Sequence, residues 1–318
     1  MIFSHLFLWL WKRSLCTWRQ MIIANKGARN MEDAHKILKR PPLTRRILRA
    51  AGQLSCGVFG RGPLKGIYRR LGGIEPIVVH RTILVPRLPV AFDGLRIALV
   101  SDLHHGPLVD LPFIERVVEQ VNELRPDVVV LPGDFVDKHA RYITPCFLAL
   151  RHLKAKYGVF AVLGNHDHWE GADDTRRAIR DCGFVDLTND GHWLFCYEQR
   201  LRLAGVDDLN MGSQDLPRAL GDCRKEEVAI VLSHHPDFAE NIKDPRVGLV
   251  LSGHTHGGQI LLPLVGPPYV PSAFGRKYLH GLVQAPQTQV YISRGVGVVG
   301  VPMRLYCQPE IDLLTLRK

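Results

Sequence analysis

The chain has 318 residues, of which 46% are hydrophobic and 23% are charged, a balance typical of a soluble globular protein with one large domain or two small ones. The net charge of +10 is uneven: residues 1–90 hold 17 Lys and Arg against 3 Asp and Glu, and residues 91–318 hold 24 against 28. Such a basic arm suits an anionic membrane surface, an export signal or nucleic acid. The seven cysteines form no C-x-x-C pair, which excludes a disulfide framework and a zinc ribbon.

Two segments of the basic arm bear on localisation. Residues 2–11 are apolar, but they are about half the roughly 20 residues that a membrane helix requires. They suit a weak interfacial anchor, or they precede the true start of translation if that is Met21 or Met31 instead of Met1. Residues 44–60 have the layout of a twin-arginine export signal, and a basic surface helix is the alternative interpretation.

Regular hydrophobic patterning begins near residue 77 and predicts an edge hairpin over residues 77–85, followed by a buried strand over residues 95–100. Residues 111–124 have a helical apolar period, and Asp110 can cap that helix. Strands are predicted over residues 128–131 and 159–163, with a helix over residues 141–156 between them. A helix over residues 173–182 ends at Gly183.

The second half of the chain is predicted to be richer in strands. Two or three strands are expected between residues 184 and 205, then a short helix over residues 213–220, and then strands over residues 228–232, 247–251, 289–293 and 311–316. Strands alternating with helices indicate a layered α/β domain over residues 77–318. Residues 1–76 are predicted to be a separate basic arm and linker.

Five predicted strands end abruptly in side chains that bind metal ions, and such strand ends are where α/β proteins hold ligands. The side chains are Asp102 and His104, Asp134 and Asp137, Asn165 and His166, His234 and His235, and His254 and His256. Residues i and i+2 of an extended segment point to the same side, so each D-x-H or H-x-H pair can offer two ligands to one ion. Carboxylate, imidazole and amide donors without thiolate favour a catalytic Mn, Fe or Zn site.

The motifs at these strand ends, taken together and in order, resemble those of the calcineurin-like metallophosphoesterases. They are D-x-H at residues 102–104, G-D-x-x-D at 133–137, G-N-H-D at 164–167, Ser233-His234, and G-H-x-H at 253–256. Residues 205–208, 253–259 and 293–295 are similar to a bacterial membrane-associated branch, some members of which cleave the pyrophosphate of UDP-2,3-diacylglucosamine. The resemblance implies a four-layer αββα sandwich with two mixed β-sheets.

The resemblance also implies a site with two divalent metal ions, with Mn favoured and Fe or Zn as alternatives. By residue, it implies one ion held by Asp102, His104 and His256, a second held by Asn165, His234 and His254, and Asp134 as the bridge. His166 matches the catalytic histidine, and Asp137 matches the carboxylate that orients it. Three further imidazoles are predicted to face substrate or to support the ligands: His105, His168 and His235.

Residues 247–275 contain no Asp, Glu, Lys or Arg. The glycines and prolines after His256 exclude a regular helix or a central strand there. An apolar loop beside a phosphoester site suits an acyl chain or a bilayer surface. Packing back onto the core is the alternative.

Three functions fit these features. The favoured one is hydrolysis of a phosphodiester or pyrophosphate bond in a lipid-linked or membrane-proximal substrate, on either side of a membrane. A nucleotide or nucleic-acid phosphodiesterase is the second, although the arm has no aromatic residues interleaved for base stacking after Trp18. A non-catalytic scaffold is the third, but a scaffold is expected to have lost metal ligands. The sequence predicts no oligomeric state.

Overall fold

A computed structural model describes residues 75–300 and 303–318, so the predictions made for residues 1–74 lie outside the described part of the chain. The strands are β1 (Ile77–Leu84), β2 (Arg96–Leu99), β3 (Val128–Leu131), β4 (Val159–Ala161), β5 (Val185–Asp186), β6 (Asp190–Cys196), β7 (Gln199–Gly205), β8 (Ala229–Leu232), β9 (Val247–Ser252), β10 (Gly281–Gln284), β11 (Gln289–Ile292) and β12 (Glu310–Arg317). The α-helices are α1 (Leu111–Glu123), α2 (Ile143–Leu150), α3 (Asn165–Asp181) and α4 (Leu216–Leu220).

The strands form two mixed sheets of six strands each. Sheet 1 has the order β1-β12-β2-β3-β4-β5, and sheet 2 has the order β10-β11-β9-β8-β7-β6. In sheet 1 the parallel run from β2 to β5 meets β12 in the antiparallel sense. In sheet 2 the parallel strands β11, β9, β8 and β7 are flanked by antiparallel β10 and β6.

The two sheets pack face to face, with helices on both outer faces. On β3, Val128 and Val130 point into the core between the sheets, whereas Val129 and Leu131 point into the core beneath α1, α2 and α3. On the far side, a third core joins sheet 2 to α4 and the 3-10 helix Pro236–Asn241. The predicted αββα sandwich is therefore confirmed.

Several predicted element boundaries were wrong. Residues 77–84 form one strand that pairs in parallel with β12 along its whole length, not a hairpin. The helix predicted over residues 141–156 ends at Leu150, because the Asn122 side chain bonds the carbonyl of His152 and the amide of Lys154 and holds that segment as a loop. Strand β10 was not predicted.

The largest boundary error concerns α3, which begins at Asn165, eight residues before the predicted start. The helix is broken at Gly171, where φ is 149°. The sequence pattern detects only the regular part beyond this break. The consequence is functional, since the first turn of α3 carries Asn165 and His166 directly out of the end of β4.

Candidate metal centre

The strand ends of both sheets bring the predicted ligands into one buried cluster. Three groups of side chains place their ligand atoms within 4.8 Å of one another: Asp102, His104 and His256; His104, Asp137 and His166; and Asp134, His234 and His254. His104 belongs to the first two groups, and its Nε2 lies 3.5 Å from Oδ2 of Asp134 in the third, so the groups are contiguous. All nine residues predicted as ligands or catalytic groups lie in or beside this cluster, with Asn165 at the start of α3.

Backbone hydrogen bonds hold the loops of the cluster together. The loop after β2 pairs with the loop after β3 through the amide of Asp102, which donates to Gly133 O at 3.1 Å, and the amide of His104, which donates to Asp134 O at 3.0 Å. The amide of His254, after β9, donates to both carboxylate oxygens of Asp102 at 3.0 and 3.1 Å. The last contact joins the two sheets at the site.

Two glycines let the ends of β3 and β4 touch. A Cβ on Gly133 would lie 2.4 Å from the amide nitrogen of Gly164, and a Cβ on Gly164 would lie 2.3 Å from Oδ1 of Asp134. Gly133 also has a φ of +94°, which side chains other than glycine rarely adopt. The G-D and G-N pairs of the motifs are therefore required for the approach of the two loops.

Five of the predicted ligands have left-handed backbone conformations, with φ between 48° and 73°: Asp102, His104, Asp134, His254 and His256. The expectation that D-x-H and H-x-H are extended segments was therefore wrong. Asp102 and His104 still reach the same group, but His254 and His256 fall in different groups. Each such residue costs about 1–3 kcal/mol, and such strain concentrates at functional sites.

The Asp134 carboxylate lies between two sets of imidazoles. Its Oδ2 is 3.5 Å from Nε2 of His104 and 3.3 Å from Nε2 of His234. Beyond these, Nε2 of His104 is 3.0 Å from Nε2 of His256, and Nε2 of His234 is 3.1 Å from Nδ1 of His254. A single carboxylate in this position can serve both sets.

The donor atoms fit metal ions better than they fit each other. Oδ1 of Asn165 is buried without a hydrogen-bond partner within the described ranges, and buried amide oxygens are rarely left so. The Nε2 atoms of His104 and His256 face each other, although two such nitrogens make at most one hydrogen bond. A cation would satisfy all three atoms.

Burial and charge set the protonation of the cluster. Burial and then the neighbouring His166 lower the pKa of His104 to about 3, and burial lowers the pKa values of His254 and His256 well below the usual range. Neutral imidazole is the form that binds metals. Burial also disfavours a charged His234, but the Asp134 carboxylate outweighs it and raises the pKa of His234 to about 10.

His166 is arranged differently from the other imidazoles. Its Nδ1 lies 3.0 Å from Oδ1 of Asp137, and its amide donates to Oδ1 of Asp134 at 2.8 Å. Burial opposes a charge on the ring, but Asp134 and Asp137 outweigh it and raise the pKa of His166. Trp169 packs against the ring with centroids 4.5 Å apart, so His166 is held from two sides.

The three further imidazoles are bonded within the protein. Nδ1 of His105 contacts Val109 O at 2.9 Å, and Nε2 of His168 contacts Oδ1 of Asp207 at 2.7 Å. His235 stacks on His254 at 4.1 Å between centroids. His235 therefore supports the ring of His254, and a substrate role for the three residues stays a prediction.

Two residues at the site were missed. The carboxylate of Asp167, inside the G-N-H-D motif, accepts hydrogen bonds from the amides of Asp134, Phe135 and Gly164, so it fastens β3 to β4. Its place in a recognised motif was a signal that could have been used. Arg304 contacts His256 from behind, and no motif or spacing in the sequence points to it.

The sequence model of the calcineurin-like phosphoesterase family matches residues 95–258, a range that contains every residue of the cluster. The chain belongs to this family. Its members are metal-dependent phosphoester hydrolases with a binuclear divalent metal centre, so the alternative of a non-catalytic scaffold is set aside.

Named relatives agree with the family. The chain is 33% identical to the uncharacterized metallophosphoesterase YkuE of Bacillus subtilis, over 84% of this chain and 94% of that protein. It is 32% identical to the phosphodiesterase YaeI of Escherichia coli, over 70% of this chain and 82% of that protein.

A zebrafish protein named transmembrane protein with metallophosphoesterase domain is 34% identical over 76% of this chain, which spans 58% of that protein's length. In the described part of the present chain, no helix combines the length and hydrophobicity needed to cross a bilayer.

Proposed function

We propose that this protein hydrolyses a phosphodiester or pyrophosphate bond in a lipid-linked or membrane-proximal substrate, such as UDP-2,3-diacylglucosamine, with two Mn²⁺ ions. The observation that carries the proposal is the position of Asp134 between two buried sets of imidazoles. Fe and Zn are the alternative metals for the same donors.

The proposed ligands follow the two sets. Asp102, His104 and His256 would hold one ion, Asn165, His234 and His254 would hold the other, and Asp134 would contact both. Bound divalent ions supply Lewis-acid stabilisation of the phosphoryl oxygens and activation of water. Because His234 is held protonated by Asp134 in the metal-free protein, loading of the site should release a proton.

His166 is proposed as the general acid that protonates the leaving oxygen. Asp137, whose pKa is lowered to about 2 because the bond to His166 and its charge outweigh burial, would hold the ring in place. The side chain of His166 keeps 12% of its surface exposed, which gives a leaving group access to the ring. An acid in this position should contribute about 10²–10⁴-fold to the rate.

The lipid part of the proposal rests on an exposed apolar ridge, formed by Leu262, Leu264, Val265, Met303, Leu305 and Tyr306. Leu264 is fully exposed and Val265 is 58% exposed, so this part of the loop after His256 does not pack back onto the core. The backbone of Leu305 bonds the backbones of Gln259 and Leu261, which joins the two loops close to His256 in the chain. Exposed apolar side chains on two joined loops suit an acyl chain or a bilayer.

One assay separates the substrate classes. The Mn²⁺-loaded protein should hydrolyse bis-p-nitrophenyl phosphate and a UDP-sugar lipid better than p-nitrophenyl phosphate. Hydrolysis of nucleotides or nucleic acid with no activity on the lipid would favour the second function. Replacing Leu262 and Val265 with Ser should reduce lipid hydrolysis while sparing the soluble diester, and an equal loss on both would argue against the ridge.

The metal assignment has its own test. Asp134→Asn should abolish activity and lower the metal content, because one carboxylate serves both ions. Asp190→Asn, at an exposed carboxylate on β6, is the control and should keep both. Elemental analysis showing two full metal equivalents in an active Asp134→Asn protein would contradict the assignment.

A further inference from the structure

Arg304 is a buried cation behind the candidate metal centre, with only 8% of its surface exposed. Its guanidinium donates hydrogen bonds to three carbonyl oxygens of one turn: Arg294 at 2.8 Å, Gly295 at 3.0 Å and Gly297 at 2.6 Å. The neighbouring Glu310 carboxylate is held by Arg294 at 2.6 Å. Arg304 is therefore fixed mainly by carbonyl groups.

The turn that Arg304 holds lies directly against Asp102. The amide of Val296 donates to Ser101 O at 3.0 Å, and the amide of Gly297 donates to Asp102 O at 2.8 Å. A Cβ on Gly295 would come within 2.7 Å of the Cβ of Asp102. Any movement of this turn would therefore displace Asp102.

On its other side, Arg304 contacts His256. Nη2 lies 3.3 Å from Nδ1 of the ring, and Nη1 lies 3.4 Å from the carbonyl oxygen of His256. The opposite ring nitrogen, Nε2, faces Oδ1 of Asp102 at 3.5 Å. One guanidinium thus contacts His256 directly and is linked to Asp102 through the turn at residues 294–297.

Stability alone explains such a residue poorly. Removing a cation from water costs several kcal/mol, and apolar replacements of buried charges are often neutral or stabilising. Charge alone explains it poorly as well, because a cation beside a metal site repels the metal. The fixed planar fork of arginine, which lysine lacks, suits a role in holding geometry.

We propose that Arg304 is a positioning residue for the metal centre. It fixes His256 against the turn that supports Asp102, so that both ligands are in place before the ion binds. The inference rests on the proposed ligand set and is independent of the proposed substrate.

Calorimetric titration of metal-free full-length protein with Mn²⁺ tests this role without any substrate. Arg304→Gln should weaken Mn²⁺ binding by about 10–100-fold, as expected for residues that orient metal ligands. Arg304→Lys should fall between Arg304→Gln and the wild type. The Co²⁺ absorption spectrum should also change in both variants, because the spectrum reports ligand geometry.

Arg202 provides a matched control. It is also buried, with 6% exposure, and its guanidinium donates to Ala219 O at 3.1 and 2.8 Å. It pairs with Ala229 at the start of β8, whereas His234 follows the end of that strand. Arg202→Gln should lower the melting temperature without changing Mn²⁺ affinity.

Four outcomes would overturn the proposal. Arg304→Gln that loses thermal stability but binds Mn²⁺ as tightly as the wild type would show a merely structural residue, and tighter binding would show that charge outweighs position. If Arg304→Gln does not fold, wild-type affinity and Co²⁺ spectrum in Arg304→Lys decide against it. A wild-type protein that binds none of Mn²⁺, Co²⁺ and Zn²⁺ would contradict the ligand set and this role with it, whereas inactivity on lipid would contradict neither.

Discussion

His166 is the residue at which the role of a general acid can be tested apart from metal binding. Its Nδ1 bonds Asp137, whereas other imidazoles are proposed to bind the metal ions. His166→Ala should keep both metal ions and lose about 10²–10⁴-fold in turnover. The loss should shrink for substrates with a leaving group of low pKa, which needs little protonation. Steady-state kinetics on p-nitrophenyl and alkyl esters measures this difference.

The exposed His152, in the loop after α2, provides a control for that variant. His152→Ala should leave the turnover of both substrates unchanged. Equal losses in His166→Ala for good and poor leaving groups would argue against the acid role. Loss of metal from His166→Ala would instead make His166 a ligand.

At the scale of elements, the contact between the ends of β3 and β4 depends on Gly133. Gly133→Ala should reduce metal content and melting temperature together, because the new Cβ would lie 2.4 Å from the backbone of Gly164. Gly183→Ala is a matched control, since Gly183 also has a positive φ but no atom lies within 4 Å of its Cβ position. The control variant should lose only the about 1–2 kcal/mol of stability that a left-handed residue with a Cβ costs, and it should retain its metal. Full metal occupancy in Gly133→Ala would show that the strand ends can separate without harm to the site.

The two sheets are also joined by a buried hydrogen bond, from Tyr291 on β11 to Asp312 on β12 at 2.7 Å. Burial, and then the charge of Glu310, raise the pKa of Asp312 from 3.8 to about 8. Between these values the unfolded chain releases the proton that the folded protein keeps, so this group makes stability fall as the pH rises from about 4 to about 8.

Asp312→Asn removes the group that binds this proton, so the variant should show a weaker dependence of stability on pH. The melting temperature of the wild type, measured from pH 5 to pH 8, should decline more steeply than that of Asp312→Asn. Asp190→Asn should follow the wild type. Parallel curves for Asp312→Asn and the wild type would show that Asp312 ionises in the folded protein at its ordinary pKa.

For the whole molecule, we expect the domain to carry the hydrolase activity and the basic arm to contribute only to membrane binding. Residues 1–74 hold 15 Lys and Arg against 2 Asp and Glu, and every proposed ligand lies beyond residue 100. Deleting residues 1–74 keeps Glu75, which pairs with Arg116 on α1 at 3.1 Å. The deletion should leave hydrolysis of a soluble diester nearly unchanged.

The same deletion should reduce binding to anionic vesicles. Each Lys or Arg near such a surface contributes about 1 kcal/mol, and salt screens this attraction. The loss of vesicle binding should therefore be largest at low salt. Replacing Leu262 and Val265 with Ser should instead cause a loss of vesicle binding that does not depend on salt. Identical co-sedimentation of full-length and truncated protein with vesicles would contradict the membrane role of the arm, and it would not bear on the hydrolase activity.

The sequence by itself determined the family, the two-layered β architecture and the residue types of the site. These depend on local signals: apolar strand periods, the helical period of residues 111–124 with its Asp110 cap, and motifs whose members are close in the chain. The capped helix is confirmed, with the Asp110 side chain accepting from Phe113. Where local signals were broken, as at Gly171 in α3, the predicted boundary failed.

The resemblance to the family implied how the ligands divide into groups, but only the tertiary structure decided the backbone geometry that makes this division possible. The left-handed φ values of His254 and His256 send these neighbours to different groups, and no spacing rule for extended chain could show that. The structure alone also revealed Arg304, which lies 48 residues from His256 in the chain and 3.3 Å from its ring. The physical reason is the same in both cases: contacts made by side chains across loops depend on how distant segments pack, and the sequence encodes that packing only through the whole fold.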